Sequence, residues 1–417
     1  MTAPLARPRR KNPVLRTPQP LLPPWARSRA ALGLTAAAAL GRFELQVCER
    51  CAAVQYPPRE ACHRCLCDAL VWREQSGAGA LLATTIVHHS HDLYFRERVP
   101  WRLGLVQLDA GPTVLAHLVA GCAPAPSRVW IGARLDKSGQ GVLLAFPTEE
   151  VPNMADDREL REMSCDPKYR KVLVTDGKTR VGQATVRALI DAGADLVWVG
   201  YAEPWKKFPG FAELEALPQA TLVPLDVTDS RSVKEVAAEI GGKVDILVNT
   251  AEMHRAHGIA SRSGVDVARS EMDVNYFGLL RLAQEFGPVM RSRGADGPAS
   301  ATAWVNVLSI YALTNYPPQG TFSASKAAAF SLSQCLRAEM RAGGVRVINV
   351  FPGPLDDEWN QSVPPPKLSP EALAKSIVKA LQDGVEDAYP GDVAQEWLAR
   401  FRESPKTLER ELSAAGG

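Results

Sequence analysis

Two hydrophobic patterns divide the chain. Between residues 80 and 146, short apolar runs separated by turn residues read as strands over Ala80–His88, Leu103–Asp109, Val114–Val119 and Val142–Phe146. Asp109-Ala-Gly-Pro and Ser138-Gly-Gln-Gly supply the turns. After residue 169 the pattern changes. Apolar, branched runs at Lys171–Thr175, Leu196–Gly200, Thr221–Leu225, Asp245–Asn249, Trp304–Leu308 and Val345–Val350 alternate with helical stretches. Those helices are Gln183–Ala192, closed by Gly193, then Val267–Met290 and Ser323–Ala342. Strands apolar on both faces, with helices between them, predict a parallel doubly wound sheet of Rossmann type. Ala30 to Gly41 predicts a short Ala-rich helix stopped by Gly41. Prolines at 4, 8, 13, 18, 20, 23 and 24 predict an extended arm, because proline fixes φ and lacks an amide hydrogen. Residues 149–168 are charged and aperiodic, which predicts a linker. The expected division is an arm at 1–26, a helix, cysteine-ribbon and barrel domain at 27–148, a linker at 149–168 and an α/β domain at 169–417.

Composition narrows the class. With 417 residues, two domains are expected. A formal net charge of +2 gives no nucleic-acid surface and no polybasic membrane patch. The Arg9-Arg10-Lys11 cluster, set among prolines, reads as a solvated tail. No stretch approaches the ~18 continuous apolar residues of a membrane helix. Of eight cysteines, four stand in CxxC pairs and four are scattered, which is no disulfide framework. A reducing cytoplasm is the expected compartment.

The pairs are Cys48-x2-Cys51 and Cys62-x2-Cys65. Each CxxC places two thiolates on one knuckle, and two knuckles close a tetrahedron around Zn²⁺. Four thiolates fill the coordination sphere, so the zinc is expected to be structural, with Cys67 as an alternative ligand. The segment from Cys48 to Cys65, CERCAAVQYPPREACHRC, and the following VPWRLGLVQLDAG (Val99–Gly111) resemble a bacterial family that joins a rubredoxin-like zinc ribbon to an OB-fold barrel. The resemblance covers roughly residues 20–148. It implies docking beside a thiolase-like acyl-CoA enzyme and a share in forming that partner's CoA-ester site, with no catalytic residue of its own. His88, His89 and His91 read as polar strand-end or interface residues. Arg96, Arg98 and Arg102, among Tyr94, Phe95 and Trp101, fit a partner interface, a CoA phosphate contact or a solvated hairpin face.

From about Lys171 to Leu412 the chain resembles the short-chain dehydrogenase/reductase family. Val172–Gly182 stands where a TGxxxGxG loop follows the first strand; LDVTD (Leu225–Asp229) ends the third; NTAE (Asn249–Glu252) takes the place of NNAG. VNYFG carries Asn275, VNVLS carries Ser309, FSASK (Phe322–Lys326) replaces YxxxK, and Pro352-Gly353 follows the sixth strand. The resemblance implies a tyrosine that moves the substrate proton, a lysine that lowers its pKa and a serine that holds the substrate oxygen. This chain keeps Asn275, Ser309 and Lys326, but the tyrosine position is Phe322, which has no proton to give. Neither Tyr311 nor Tyr316 stands four residues before Lys326. The surviving polar residues can persist as a buried network that holds the fold.

The cofactor loop departs from the pattern too. Asp176 and Arg180 stand where glycines would let the backbone approach a pyrophosphate, and only Gly182 matches. The second strand ends Val199-Gly200-Tyr201, with no acid there for a ribose, and Glu252 replaces a glycine. Lys178 and Arg180 could select the 2′-phosphate of NADPH, but the lost glycines leave a steric obstacle, so no bound NAD(P) is expected. The expected function is a non-catalytic accessory subunit of a thiolase-like enzyme acting on acyl-CoA by thiolysis, acyl transfer or retro-aldol cleavage. The dehydrogenase-like domain would scaffold that assembly and form a homodimer through Val267–Met290 and Ser323–Ala342. The alternatives are an NAD(P)-dependent 3-hydroxyacyl-CoA dehydrogenase and the silent subunit of a heteromeric one.

Overall fold

A computed structural model describes residues 3–7, 21–256, 258–261, 263–294, 297, 300–361 and 363–415. Most of the expected proline-rich arm, residues 8–20 with Arg9-Arg10-Lys11, lies outside the described residues. The chain forms two compact units: one mainly Leu21–Asp166, the other Pro167–Leu381 together with the residues from Glu386 onward.

The first unit opens with the helix Leu32–Ala39 and an antiparallel three-stranded sheet. Its strands are β1 (Glu44–Cys48), β2 (Val54–Gln55) and β3 (Leu70–Glu74), in the order β2-β1-β3. There follow β4 (Ala78–Val87), β5 (Trp101–Leu108), β6 (Thr113–Leu118), β7 (Ser127–Leu135) and β8 (Gly141–Pro147). They close as β4-β5-β6-β8-β7, with β7 returning to β4 and β6 parallel to β8. Five strands closed with one parallel pair make the expected OB-fold barrel. Alternation fills the lumen: Leu81, Val106, Val114, Ile131, Leu135 and Leu143 are buried on the inward positions. The periodicity did not mark β7, because Arg128, Gly132 and Arg134 interrupt its apolar run.

The segment 149–166 is not the expected free linker. Asp156, Asp157 and Glu159 are buried, and the short helix Arg158–Glu162 packs on the barrel. Its charges are consumed there: Arg102 Nη2 meets Asp157 Oδ2 at 2.5 Å, and Arg102 N donates to Glu159 Oε1 at 2.6 Å. An aperiodic acidic stretch can thus be a structural strap once basic strand residues await it.

Among its described residues the second unit has seven parallel strands: β9 (Lys171–Val174), β10 (Leu196–Tyr201), β11 (Ala220–Pro224), β12 (Ile246–Asn249), β13 (Ala303–Val307), β14 (Arg346–Val350) and β15 (Asp387–Ala388). Their order is β11-β10-β9-β12-β13-β14-β15, a doubly wound sheet with its reversal at β9–β12. The four residues of β12 and the five of β13 are all buried, as a sheet covered on both faces requires. The expected helix Val267–Met290 is interrupted: a helix at Asp266–Met272 passes through one π-helical stretch, Asp273–Gly278, into Leu279–Arg293. Such a wide turn re-aims one side chain and is frequent at functional positions. Here it carries Asn275. The second long helix runs Gly320–Arg341.

The helix Arg180–Asp191 starts on a side-chain cap. Thr179 Oγ1 accepts the Gly182 amide at 3.0 Å. Thr179→Ala is expected to lower the stability of the second unit by about 1 kcal/mol, readable as a shifted urea midpoint.

Candidate functional site

The zinc ribbon is built from two matching knuckles. In each, the residue four after the first cysteine closes the turn in the left-handed region: Ala52 at φ 56° and Leu66 at φ 58°. Ala52 N donates to Cys48 O at 2.9 Å, and Leu66 N donates to Cys62 O at 3.0 Å. The four sulfurs of Cys48, Cys51, Cys62 and Cys65 lie within 4.8 Å of one another. Cys48–Cys65 and Cys51–Cys62 are each 3.6 Å apart. A tetrahedron with Zn–S bonds of about 2.3 Å has edges of about 3.8 Å, so the donor set fits Zn²⁺. Backbone amides of Cys51 and Arg50 lower the Cys48 thiol and those of Cys65 and Arg64 lower Cys62, while burial and the neighbouring sulfurs push Cys51 and Cys65 up. Amides aimed at sulfur favour the thiolate that a metal needs. Cys67 stands outside the set; its sulfur takes the Ala69 amide at 3.4 Å. His88, His89 and His91 are exposed and join no ligand cluster among the described residues.

In the second unit the sheet brings the residues singled out in the sequence to one place. Thr175 Oγ1 at the end of β9 donates to Asn249 Oδ1 at 2.9 Å, which ties the loop after β9 to the loop after β12. Asn275 spans two elements: Oδ1 accepts from Met253 N at 3.0 Å, and Nδ2 donates to Met253 O at 2.9 Å and to Ser325 Oγ at 2.8 Å. It is fully used as a clamp between the 253 segment and the long helix. Ser309, after β13, takes the Tyr311 amide at 3.2 Å.

Lys326 is 2% exposed, and its ammonium is 2.6 Å from Glu252 Oε2 and 3.1 Å from Val307 O. The residue that replaces a glycine thus takes the charge that Lys326 would offer a ligand or a tyrosine. Phe322, 3% exposed, is stacked on His254 at 3.9 Å between centroids and 15° between planes. These groups leave a cavity of about 20 Å³, lined by Glu252, His254, Ser309, Tyr311, Phe322 and Asn360 among others. That is space for about one water molecule. His254 Nε2 and the Tyr311 hydroxyl are buried there without a hydrogen-bond partner among the described residues. Burial pushes the Tyr311 phenol well above its ordinary value, which favours the neutral hydroxyl.

His254 is the residue that sequence reasoning missed. Its signal was Met253-His254, directly after the NTAE segment. Its partner Phe322, 68 positions further on, could not be inferred from spacing.

The loop after β9 is occupied by its own side chains. Asp176 Oδ1 accepts the Lys178 amide at 2.8 Å, and Lys178 is ion-paired with Glu203. Arg180 Nη1 reaches Asp356 O at 3.4 Å. A Cβ on Gly182 would stand 1.8 Å from Asp176 O, so this glycine is required for the helix to approach the strand. Burial raises the Asp176 carboxyl from 3.8 to about 6, and Glu252 adds a like-charge push in the same direction. An acid whose folded pKa is raised contributes stability that is full below about pH 3.8 and lost as pH rises through about 6. Asp176→Asn keeps an acceptor for the Lys178 amide. Its urea midpoint is expected to exceed that of the parent at pH 8 and to converge with it below pH 4, roughly the ordinary carboxyl pKa.

Three family models match the chain. The ChsH2 rubredoxin-like zinc ribbon domain covers residues 35–71, the ChsH2 C-terminal OB-fold domain covers 72–143, and the short chain dehydrogenase family covers 170–367. A crystal structure of a short chain dehydrogenase from Burkholderia cenocepacia J2315 in complex with NADP is 31% identical. It aligns over 59% of this chain and 98% of its own, with a TM-score of 0.53. The uncharacterized oxidoreductase SA2266 of Staphylococcus aureus is 29% identical over 50% of this chain and 89% of its own length. Dehydrogenase/reductase SDR family member 7C of Rattus norvegicus is 29% identical over 55% of this chain and 73% of its own. The expectation that no NAD(P) binds draws no support from these relatives, one of which carries NADP. The expectations for a zinc ribbon, a barrel and a dehydrogenase-type sheet all agree with them. The chain is a fusion in which a ChsH2-type zinc ribbon and OB-fold precede a domain that belongs to the short chain dehydrogenase family.

Proposed function

We propose that the chain is a non-catalytic accessory subunit of a thiolase-like enzyme acting on a β-oxo- or β-hydroxyacyl-CoA. The zinc ribbon and barrel dock on the catalytic subunit and complete its CoA-ester site, and the dehydrogenase-type domain scaffolds the assembly. The observation that carries the reading is the Glu252–Lys326 pair at 2.6 Å, beside Phe322. A reductase centre needs a proton donor and a cation free to serve it; here the first is a phenyl ring and the second is neutralised. The shape and charge of the loop around Asp176 and Arg180 argue in the same direction against NAD(P).

Docking has a surface in its favour. Leu82, Ile86, Leu105 and Leu115 on the barrel strands are 40–54% exposed, and Leu105 faces Leu115 across β5 and β6. Grouped apolar side chains of this kind suit a protein interface. The groove between the helices Leu279–Arg293 and Gly320–Arg341, lined by Leu280, Gly287, Leu332 and Leu336, suits the homodimer. No described helix is long and apolar enough to cross a membrane.

The test is co-expression with thiolase-like enzymes of the same organism. Co-purification and a CoA-ester activity that requires this chain are expected, and Leu105→Arg/Leu115→Arg should abolish both. A partner equally active without the chain overturns the reading. The second reading, an NADP-dependent oxidoreductase acting on a 3-oxoacyl-CoA, has the NADP-bound relative in its favour. Saturable NADPH binding with turnover separates it from the first.

A further inference from the structure

The barrel has one open edge on β4. There β7 pairs with β4 from Ala78 to Leu81 only, and its later residues, from Ile131 to Leu135, pair with β8 alone. The register of β4 against β5 shifts between Leu81 and Ala83. Beyond that shift residues 83–87 lie opposite β5 in unbroken register, from Leu105 back to Trp101, and no strand lies on their other side among the described residues. Outside the ladder to β5, their backbone makes no hydrogen bond among the described residues. In an antiparallel ladder alternate residues turn N–H and C=O away from the paired strand, so this edge presents unused donors and acceptors.

Natural sheets blunt such an edge with charge, proline or a covering segment. Residues 82–87 read Leu-Ala-Thr-Thr-Ile-Val, with no charge, proline or glycine. Four successive β-branched residues, Thr84 to Val87, favour an extended strand. Leu82, Ala83, Thr84, Thr85 and Ile86 are all exposed. The one charged side chain of β5, Arg102 opposite Ile86, is already held by Asp157 and Glu159. A further strand is what satisfies such an edge, and symmetry decides whether this strand can serve itself.

We propose that residues 83–87 are the seam of a dimer, in which a second copy of the chain adds the same five residues in antiparallel across a two-fold axis at Thr85. An axis normal to the sheet keeps each face on its own side, so the residues that meet are an even number of positions apart. Thr85 then stands opposite its own copy, Ala83 opposite Val87 and Thr84 opposite Ile86. Each pair is threonine or apolar, and no like charges are brought together. With β7 on the edge as far as Leu81, the centre cannot move toward the start of β4. The seam uses the same edge of both copies, so it closes at two. Ala83 and Thr85 lie beside Leu105 and Leu103, so the exposed face that carries Leu105 and Leu115 continues across the seam. The proposal does not depend on the accessory reading and leaves that face for a partner enzyme. Five residue pairs make a small interface, so a weak dimer is expected.

The test is cysteine cross-linking of the full-length, zinc-loaded chain in a Cys335→Ser background, which removes an exposed thiol. Residues directly opposite in an antiparallel ladder have Cα atoms about 4.5–5.5 Å apart, within the roughly 4.4–6.8 Å that a disulfide spans. With oxidised glutathione, Thr85→Cys is expected to give a disulfide-linked dimer about tenfold or more faster than Thr113→Cys, at an exposed position on β6. Ala83→Cys should match that control, because the two-fold sets its copies about four residues, or ~13 Å, apart along the seam. Adding Thr84→Glu and Ile86→Glu to Thr85→Cys puts like charges opposite each other in the seam. The rate should then fall to that of the control, with zinc content unchanged. A control-like rate for Thr85→Cys, a faster rate for Ala83→Cys, or cross-linking that survives the two glutamates overturns the seam. Cross-linking of Thr85→Cys to a co-expressed thiolase-like enzyme, in place of a second copy, gives the edge to that enzyme and overturns it as well.

Discussion

Cys62→Ser is expected to abolish stoichiometric zinc binding and to unfold the ribbon. Cys62 is fully buried, and its sulfur also takes the Arg64 amide at 3.4 Å, so the serine loses both a metal ligand and a packed sulfur. The short sheet β2-β1-β3 has a small core: Cys48, Ala53 and Cys62 are its buried members around the site. Too little apolar surface is buried there to order some thirty residues without help. Structural zinc supplies roughly 10–16 kcal/mol of apparent binding free energy in small domains, as much as or more than the ~5–15 kcal/mol that stabilises a whole protein. Metal analysis should give one zinc per parent chain and well under one for the variant. A chelator should reproduce the loss, and protease should then cut between residues 44 and 74. The transition of the dehydrogenase-type unit should survive. Full zinc retention by the variant would mean that Cys67 has taken over the fourth position.

Glu252→Gln is expected to destabilise the second unit by about 3–5 kcal/mol, because it leaves the Lys326 ammonium buried without its counter-charge. Lys326 is 2% exposed at the side chain and Glu252 20%, so little water reaches the pair to compensate. The carbonyl of Val307, 3.1 Å away, is the partner that remains. Replacing both residues, as Glu252→Leu/Lys326→Met, should recover most of the loss, since a well-packed apolar pair is often as stable as a buried ion pair. Asp266→Asn, which removes an exposed pair with Arg269, should leave the urea midpoint unchanged. If Glu252→Gln is neutral, the pair does not hold the centre closed, and the case against a working reductase loses its main support.

The comparison between sequence and structure follows interaction range. The zinc knuckles were legible because each is a five-residue turn, and two such turns within nineteen residues point to one chemistry. Phe322, Asp176 and Arg180 were legible as substitutions in ordered motifs. What they had become was not. The partner of Glu252 lies 74 positions away, and the ring stacked on Phe322 lies 68 positions before it. The acidic segment 154–162 read as a linker because its partner, Arg102, lies on a strand some fifty residues earlier. Strand β7 was hidden by arginines that face outward from the barrel or pair elsewhere, as Arg128 does with Asp109.

The two halves share one logic. The first offers a four-thiolate metal site with no open position, and the second encloses a centre in which Lys326 is paired with Glu252 and Asn275 is bound to Met253 and Ser325. Activity is then expected to reside in an enzyme that the chain joins. Titration of NADPH and NADH into the full-length, zinc-loaded chain, followed by addition of a 3-oxoacyl-CoA, tests this most directly. The account predicts no saturable binding and no consumption of reduced nucleotide. Saturable NADPH binding followed by turnover would contradict it.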